Sequence, residues 1–429
     1  MKKYTVRTAK KVAGKIEVPG DKSISHRAVM LGSLARGTTI VSGFLQGEDT
    51  IATLNAFRLM GVDAREEDQK IYIQGRGLFG LKEPDDVLDC GNSGTSMRLM
   101  TGILAGQRFF SVLSGDRYLR NRPMGRVIEP LSKMGASIQG RSGGTKAPLA
   151  IQGRELNGAS YTSPVASAQI KSALLLAGLY ASGETEVKEP SLSRDHTERM
   201  FRYFGADIDP HVSGAVVRGG RELEGKEVTV PADISSAAFF IVAALLVPDS
   251  ELLIVNVGVN PTRTGILDIL LKMGASIELL NAREVSGEPV ADILVRSSHL
   301  RGIEIGGDLV PRAIDEFPVL CVAAASAEGK TILRDARELR VKETDRIAAM
   351  ATNLAKAGVI VLETEDGMEI TGTDVLQGCQ VDSFGDHRIA MSMLIAGLVA
   401  QGETTVTDTD CISTSFPTFI ELLEKVCRS

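Results

Sequence analysis

The sequence contains no tryptophan, and aromatic residues make up only 4% of its 429 residues. Proteins that bind single-stranded nucleic acid stack bases on aromatic side chains, so this scarcity argues against that class. The formal net charge is −6, which provides no global positive field for nucleic acid or an anionic membrane. Any anion-binding site must therefore be a local cluster of cations.

Metal-binding and membrane signals are missing as well. The five cysteines lie far apart without a CxxC pair, which is typical of reduced thiols in the cytoplasm. The five histidines show no HExxH or other paired-ligand spacing, and no Walker loop or Rossmann fingerprint is present. No apolar run reaches the roughly 18 residues of a membrane span. We expect a cytoplasmic protein without a structural metal, and without nucleic acid or a membrane as partner.

Glycine, in contrast, is abundant and partly periodic. A short apolar segment, a glycine and a small residue precede a predicted strand at five places, whose glycines are Gly61, Gly135, Gly205, Gly274 and Gly358. The final segment FPTFIELLEKV is the equivalent helix of a sixth copy, and the period is about 70 residues. Each copy predicts a βαβαββ repeat with a buried first helix and a more polar second one. The sequence therefore predicts an α/β fold of two domains with three repeats each.

Two similar segments predict where the domains join. VPGDKS (residues 18–23) and VPADISS (residues 230–236) both place Val-Pro before an acidic residue and a helix start. We predict one domain of residues 1–19 and 232–429 and a second domain of residues 20–231. Two short crossings, at about 19–21 and 231–233, would form a hinge beside an active site in the cleft between the domains. The alternative is that Val-Pro only ends two strands.

The motif GDKSISHR (residues 20–27) is the first of several polar helix starts. Ser23 is predicted to cap a helix that begins near Ile24, with Lys22 and Arg27 close to the first turn. Two cations, a hydroxyl and the positive end of a helix predict a site for phosphate or carboxylate. A capped surface helix with solvated charges is the alternative.

Similar groups begin the next helices. GNSGTSMR contains Gly94, where a ligand can approach the backbone, followed by Thr95 or Ser96 as the predicted cap. RNRPMG contains Arg122, which follows two further arginines and can bind a carboxylate in bidentate fashion. A common glycine turn and a solvated loop are the respective alternatives.

Two more helix starts follow in the same half of the chain. SAQIK offers the hydroxyl of Ser167, the amide of Gln169 and the ammonium of Lys171 to an oxyanion. RDHTE contributes Arg194 and His196, and for His196 a structural role is equally compatible with the pattern.

The C-terminal half carries acids as well as cations. In AIDEFP, Asp315 lies beside apolar residues, which favours partial burial and acid–base chemistry, although an acid at a helix start is also a dipole partner. RVKETDR places Lys342, Glu343 and Arg346 together, either to hold an anionic substrate and move a proton or to form salt bridges along a helix. GDHR presents Arg388 beside a histidine at the entrance of a buried helix.

One further arginine, Arg263 in NPTRTG, is available to a ligand or to a salt bridge, and the sequence does not decide between them.

Together, GDKSISHR, GNSGTSMR, RNRPMG, SAQIK, RDHTE, NPTR, RVKETDR and GDHR resemble the 5-enolpyruvylshikimate-3-phosphate synthase family over essentially the whole chain. SAQIK, RDHTE and NPTR resemble its class II branch. The resemblance implies an inverse α/β barrel fold with two domains of three βαβαββ repeats. It also implies a transferase that moves the enolpyruvyl group of phosphoenolpyruvate to the 5-hydroxyl of shikimate 3-phosphate, in the shikimate pathway to chorismate and aromatic amino acids. No cofactor is implied, and we expect a monomer.

The resemblance also implies roles for individual residues. Residues expected to bind shikimate 3-phosphate are Lys22, Ser23, Arg27, Ser167, Ala168, Gln169, Arg194, Asp315 and Lys342. Residues expected to bind phosphoenolpyruvate are Lys22, Gly94, Arg122, Gln169, Arg346 and Arg388. Asp315 would take the proton of the 5-hydroxyl and Glu343 would protonate the methylene carbon. Lys22 is the third catalytic candidate, and the division of acid and base roles stays open.

Two positions depart from class I relatives. Thr414 stands where class I members have a lysine, and Ala168 stands where they have a second serine. Gly94 is the position at which some glyphosate-insensitive relatives have alanine, so at least partial sensitivity to glyphosate is expected.

Two other functions fit the sequence less well. A UDP-N-acetylglucosamine enolpyruvyl transferase would have a cysteine in the loop of residues 114–125, which has none. A non-enzymatic anion-binding or RNA-end-binding protein on the same fold would not need Asp315 and Glu343 among the cations.

Overall fold

The computed structural model describes residues 2–428, and the chain groups into two compact units. Unit 1 consists of Met1–Pro19, Pro231–Glu284 and Pro289–Ser429, and unit 2 consists of Gly20–Val230 and Val285–Glu288. Each unit has its own hydrophobic core.

The segment Val285–Glu288 was predicted to belong with residues 232–429, and it groups with unit 2 instead. It is the turn between two long strands. Its Glu288 pairs with His196, at 2.7 Å between Oε1 and Nδ1, and the N–H of Thr229 donates to the hydroxyl of Ser286 at 2.9 Å. These contacts come from residues remote in sequence, so the local pattern carried no sign of them.

Unit 2 contains the helices α1 (Lys22–Leu34), α2 (Glu48–Leu59), α3 (Gly94–Ala105), α4 (Gly125–Lys133), α5 (Arg141–Gly144), α6 (Ala168–Gly178) and α7 (His196–Tyr203). Unit 1 contains α8 (Ile234–Leu246), α9 (Gly265–Lys272), α10 (Leu309–Ala313), α11 (Phe317–Ala325), α12 (Arg346–Lys356), α13 (His387–Gly397) and α14 (Phe419–Val426). Short 3₁₀ helices cover Leu119–Asn121, Arg337–Val341 and Thr409–Thr414.

The main sheets of both units share one strand order. A short outer strand pairs in parallel with the second strand, which pairs antiparallel with the third. In unit 2 the strands are, sheet by sheet, Glu227–Thr229, Thr38–Ser42, Lys70–Gln74 and Asp63–Glu67; Leu88–Asp89, Phe110–Ser114, Lys146–Gln152 and Ser137–Gly140; and Ser160–Thr162, Glu184–Lys188, Gly214–Arg218 and Asp207–His211. Two-residue strands pair Ala35–Arg36 with Leu223–Glu224 and Leu156–Asn157 with Ala181–Ser182.

Unit 1 has the same order with two differences: its first sheet has an additional outer strand, Cys427–Arg428, that pairs antiparallel with Lys11–Ile16, and its third sheet has three strands instead of four. Its strands are Cys427–Arg428, Lys11–Ile16, Glu251–Gly258, Glu288–Arg296 and Ser276–Val285; Glu304–Ile305, Lys330–Leu333, Met368–Thr371 and Ile360–Glu363; and Gln380–Asp382, Glu403–Thr407 and Lys3–Arg7. Leu376–Gln377 pairs with Ala400–Gln401. The predicted α/β class with repeated βαβαββ units is confirmed.

Two strands lie in a different unit from the helix that follows them in the chain. Lys11–Ile16 precedes α1 but pairs with Glu251–Gly258 in unit 1, and Glu227–Thr229 precedes α8 but pairs with Thr38–Ser42 in unit 2. The two segments with Val-Pro lie directly after these strands.

The first helix of each repeat is apolar on nearly all sides and is almost wholly buried, as predicted. These helices are α1, α3 and α6 in unit 2 and α8, α11 and α13 in unit 1. Each fully buried Leu, Ile or Phe contributes about 1.5–3 kcal/mol from its removal from water. The helix axes are therefore fixed by packing, and so are the polar residues at their N-termini.

Two predicted helix caps are wrong. Asp21, not Ser23, caps α1: its carboxylate accepts the N–H of Ile24 at 2.9 Å, and the helix begins at Lys22. Ser93, rather than Thr95 or Ser96, caps α3 by accepting the N–H of Ser96 at 3.0 Å. In both cases an earlier residue with extended backbone takes the cap position.

No helix within residues 2–428 combines the length and the apolar character needed to cross a membrane.

The repeated glycines end the second helices in the left-handed conformation. Their φ angles are 83° at Gly61, 99° at Gly135, 86° at Gly205, 95° at Gly274 and 85° at Gly358. An L-residue with a side chain rarely adopts this conformation, which explains why glycine recurs there.

Gly205→Ala is expected to lower the free energy of unfolding by about 1 kcal/mol, because a Cβ there meets no described atom within 4 Å and the loss comes from backbone strain alone. Gly125→Ala is the matched control. Its φ is not left-handed and the nearest atom would lie 3.4 Å away, so the change is expected to be neutral or stabilising by up to about 1 kcal/mol. Thermal unfolding of both variants checks this, and equal melting temperatures would contradict it.

Candidate active site

The N-terminal ends of α1, α3 and α6 are joined by hydrogen bonds of buried polar side chains. Arg27 on α1 is only 4% exposed. Its Nε donates to the hydroxyl of Thr197 at 2.7 Å and its Nη2 to the hydroxyl of Ser172 at 2.8 Å, while Nη1 donates to the carbonyl of Ser23 at 2.9 Å. Burial lowers the pKa of Arg27 to about 10, so it remains a cation at neutral pH.

The start of α3 lies against the loop that carries Arg122. A Cβ built on Gly94 would lie 2.9 Å from Cζ of Arg122 and 3.0 Å from Nη1 of Arg98, so the missing side chain lets two guanidinium groups approach the backbone. Nη1 of Arg98 donates to Oε1 of Gln169, whose Nε2 donates to the hydroxyl of Thr95 at 3.0 Å. Gly94, Arg122 and Gln169, which come from three separate motifs, therefore lie together.

Lys22, Ser167 and Arg194 complete this group. Nζ of Lys22 forms an ion pair with the carboxylate of Asp49, which is nearly buried. The N–H of Ser167 donates to Oε1 of Glu189 at 2.8 Å. The charge of Arg194 contributes to lowering the pKa of Arg27, so these two cations are within electrostatic reach. We call Lys22, Ser23, Arg27, Gly94, Arg122, Ser167, Ala168, Gln169 and Arg194 the unit 2 cluster.

A second group of charges lies in unit 1 around Asp315, which is between α10 and α11. Its Oδ1 is 3.9 Å from Nζ of Lys342 and 3.5 Å from Nη1 of Arg346, and its Oδ2 is 3.7 Å from Nη2 of Arg388. Nη1 of Arg388 also donates to the carbonyl of Asp315 at 3.0 Å. One partly exposed carboxylate is thus held among three cations, all of which the sequence placed among the candidates.

Arg346 is the most buried member of this group, at 2% exposure. Its Nη2 donates to Oε2 of Glu343 at 2.7 Å and its Nε to Oδ2 of Asp386 at 2.8 Å. Burial opposes its charge, but Asp386, Glu343 and Asp315 together raise the pKa of Arg346 above its usual value. We call Asp315, Lys342, Glu343, Arg346 and Arg388 the unit 1 cluster.

The structure decides the open question about Arg263. Its Nη2 donates to Oδ1 of Asp233 at 3.0 Å and to the hydroxyl of Ser235 at 2.7 Å, and the residue is 2% exposed. Arg263 therefore forms a buried ion pair at the start of α8. The hydroxyl of Ser235 also donates to the buried carboxylate of Glu316.

Other candidates lie elsewhere. The ammonium of Lys171, expected to face an anion, is fully buried between two carboxylates. His196 is buried and paired with Glu288, which is the structural role that the pattern left open. The hydroxyl oxygen of Thr414 lies 3.2 Å from Nδ1 of His387.

Sequence reasoning overlooked Arg98 and Asp386 as members of these groups. Arg98 is four residues after Gly94, a spacing that places both on one face of a helix, so this signal was available. Asp386 caps α13 by accepting the N–H of Arg388 at 2.8 Å and also holds Arg346. The local motif around Asp386 gives no indication that this residue also binds Arg346, which lies 40 residues earlier in the chain.

Among the described residues, no group of three His, Cys, Asp or Glu side chains could hold a metal ion.

Residues 6–423 match the family model described as EPSP synthase (3-phosphoshikimate 1-carboxyvinyltransferase). The chain belongs to the EPSP synthase family. It is 74% identical over 426 residues to the 3-phosphoshikimate 1-carboxyvinyltransferase of Geotalea uraniireducens and 72% identical over 426 residues to that of Geobacter metallireducens, with 99% of both chains covered in each case.

A solved EPSP synthase structure from Acinetobacter baumannii has a TM-score of 0.89 and 48% identity, covering 99% of this chain and 98% of that one. The enolpyruvyl transferase NikO from Streptomyces tendae is similar at a TM-score of 0.79 but only 18% identity, over 98% and 96% of the two chains, and this similarity concerns the fold alone. The family predicted from the motifs is therefore confirmed.

Asp386→Asn is expected to destabilise this member of the EPSP synthase family by roughly 3 kcal/mol, because the buried Arg346 loses a charged partner while remaining buried. Asp374→Asn, at an exposed acid of unit 1, is the control and is expected to have no effect. Thermal or urea-induced unfolding measures both. An unchanged stability of Asp386→Asn would show that the pair does not hold Arg346 in place.

Proposed function

We propose that this protein is a 3-phosphoshikimate 1-carboxyvinyltransferase. It transfers the enolpyruvyl group of phosphoenolpyruvate to the 5-hydroxyl of shikimate 3-phosphate and releases phosphate, in the shikimate pathway to aromatic amino acids. Membership of the family supports this activity. The observation that carries the chemistry is the carboxylate of Asp315 among Lys342, Arg346 and Arg388, with Glu343 beside Arg346.

The two clusters supply the charges that two polyanionic substrates need. We propose that shikimate 3-phosphate is bound by Lys22, Ser23, Arg27, Ser167, Ala168, Gln169, Arg194, Asp315 and Lys342. We propose that phosphoenolpyruvate is bound by Lys22, Gly94, Arg122, Gln169, Arg346 and Arg388. The approach of Arg122 to Gly94 supports the second group, because a guanidinium beside exposed backbone N–H groups at a helix start suits a carboxylate or phosphate.

The reaction proposed is an addition followed by an elimination. Asp315 accepts the proton of the 5-hydroxyl of shikimate 3-phosphate while the hydroxyl oxygen forms a bond to C2 of phosphoenolpyruvate. Glu343 or Lys22 delivers a proton to the methylene carbon of phosphoenolpyruvate in the same step. The tetrahedral adduct then loses phosphate and a proton from the methyl carbon, which restores the double bond. Arginines that are already fixed by carboxylates stabilise the adduct without reorganising, as the buried Asp386 and the partly buried Glu343 fix Arg346.

Both clusters are required at once, so we propose that units 1 and 2 close on the substrates by a hinge at about residues 19–21 and 231–233. Closure would exclude water and bring the reacting groups together. We further propose that the enzyme acts as a monomer and that it is located in the cytoplasm, where free thiols such as those of the described cysteines are usual.

The purified protein is expected to release phosphate from phosphoenolpyruvate only when shikimate 3-phosphate is present. UDP-N-acetylglucosamine in its place is the control acceptor and is expected to give no release. A colorimetric phosphate assay with each acceptor measures this. Release that does not depend on shikimate 3-phosphate would rule out the proposed reaction.

Asp315→Asn is expected to lower kcat by about 100-fold or more, the usual contribution of a general base, while both substrates still bind. The amide keeps the shape of the side chain among the three cations but cannot accept the proton. Asp374→Asn, at an exposed acid of the same unit, is the control. Steady-state kinetics together with calorimetric binding of shikimate 3-phosphate checks the variant, and an unchanged kcat would remove Asp315 from the chemistry.

A further inference from the structure

Lys171 is a lysine whose side chain is completely buried, which is rare unless the ammonium is paired. Its Nζ lies 2.9 Å from Oε2 of Glu189 and 2.8 Å from Oε1 of Glu198, and it donates to the carbonyl of Ser193 at 3.3 Å. Both carboxylates are buried as well. Such a group is costly to bury and strongly destabilised when one charge is removed.

Glu189 connects this buried group to the start of α6. Its Oε1 accepts the N–H of Ser167 at 2.8 Å. Both of its oxygens accept from the hydroxyl of Ser193, at 2.7 and 2.8 Å, and Oε2 also accepts the N–H of Ser193 at 3.3 Å. Glu189 thus ties Ser167 to the residue directly before Arg194, and both of these are proposed ligands of shikimate 3-phosphate.

Glu198 connects the same group to α1. It follows Thr197, whose hydroxyl accepts from Nε of Arg27, and the charge of Glu198 favours the cationic form of Arg27. Lys171 is therefore connected, through Glu189 and Glu198, to three members of the unit 2 cluster, although it is not a member itself. These members are Ser167, Arg194 and Arg27. Without its ammonium, two buried carboxylates would repel one another and would also repel a phosphate group bound at Ser167.

We propose that Lys171 is a positioning residue for the phosphate group of shikimate 3-phosphate. It offsets one of the two negative charges of Glu189 and Glu198, so that Glu189 can accept the N–H of Ser167 and hold the turn before Arg194, which leaves the start of α6 ready for the anion. This inference rests on the proposed function and adds to it a residue that acts through Glu189 and touches no substrate.

Several charged groups surround this trio and enter its pH dependence. They are Asp195 and His196 on the same stretch as Glu198, Arg194 before them, Arg27 on α1 and Glu288 opposite His196. Burial raises the pKa of Glu198, although Lys171 opposes this. Burial lowers the pKa of Lys171, but Glu198 and Glu189 outweigh it and raise the value overall.

The test is Lys171→Met in the full-length enzyme. The KM for shikimate 3-phosphate is expected to rise about tenfold, the effect of losing one hydrogen bond that involves a charged group, while the KM for phosphoenolpyruvate changes little. Removing the ammonium also removes the charge that opposes the effect of burial on Glu198, so the pKa of Glu198 is expected to rise further in the variant. The ratio of variant to wild-type KM is therefore expected to grow as the pH rises and Glu198 ionises beside Glu189. A residue that only fills space would not produce this pH dependence.

Two further variants separate charge from packing. Lys171→Met with Glu198→Gln restores the net charge of the trio and is expected to recover most of the affinity for shikimate 3-phosphate and to flatten the pH dependence. Lys188→Met is the control, because Lys188 also forms an ion pair, with Glu186 at 2.9 Å, but its side chain is 44% exposed, and no kinetic change is expected.

Thermal unfolding establishes whether Lys171→Met is folded. If it is folded and keeps a wild-type KM at every pH, the inference is overturned. If it does not fold, Glu189→Gln decides, because Ser167 and Lys171 face different oxygens of Glu189 and the amide of Gln keeps an acceptor at only one of these two positions. A raised KM for shikimate 3-phosphate supports the inference, and an unchanged KM overturns it. Failure of the wild-type enzyme to release phosphate would instead concern the proposed function.

Discussion

The burial of one apolar helix in every repeat is the constraint on which the rest of this structure depends. Such a helix cannot turn or shift without exposing Leu, Ile and Val side chains, so its N-terminus has a fixed place. The starts of α1, α3 and α6 carry most of the unit 2 cluster, while Asp315 lies just before α11 and Arg388 lies in the first turn of α13. Within a unit, helix starts that lie close together bring backbone N–H groups and positive helix ends to the same place.

Carboxylates pair with cations of both clusters. Asp49 pairs with Lys22, and Asp386 and Glu343 pair with Arg346. Arg263 and Lys171 show the same principle without facing a ligand, since each is buried against acids at the start of a helix. A chain with a net charge of −6 can thus keep local sites for polyanions, because its acids orient the cations.

Sequence reasoning predicted the repeat, the fold class and the family because these depend on local signals. The glycines at 61, 135, 205, 274 and 358 recur since each follows a helix in the left-handed conformation, and a motif such as GDHR identifies itself by residue type. It failed at positions such as Ser23 and Ser96, where a neighbouring residue takes the cap, and at the turn Val285–Glu288, which groups with unit 2.

The sequence by itself determined which residue types stand at the helix starts, because periodicity and turn chemistry act over a few residues. Only the tertiary structure decided which partner each charge has. Lys22 and Lys171 look alike in sequence, yet one is partly exposed beside Asp49 and the other is enclosed by Glu189 and Glu198. These partners lie 18 to 27 residues away along the chain, and their approach depends on how the helices pack rather than on the local motif.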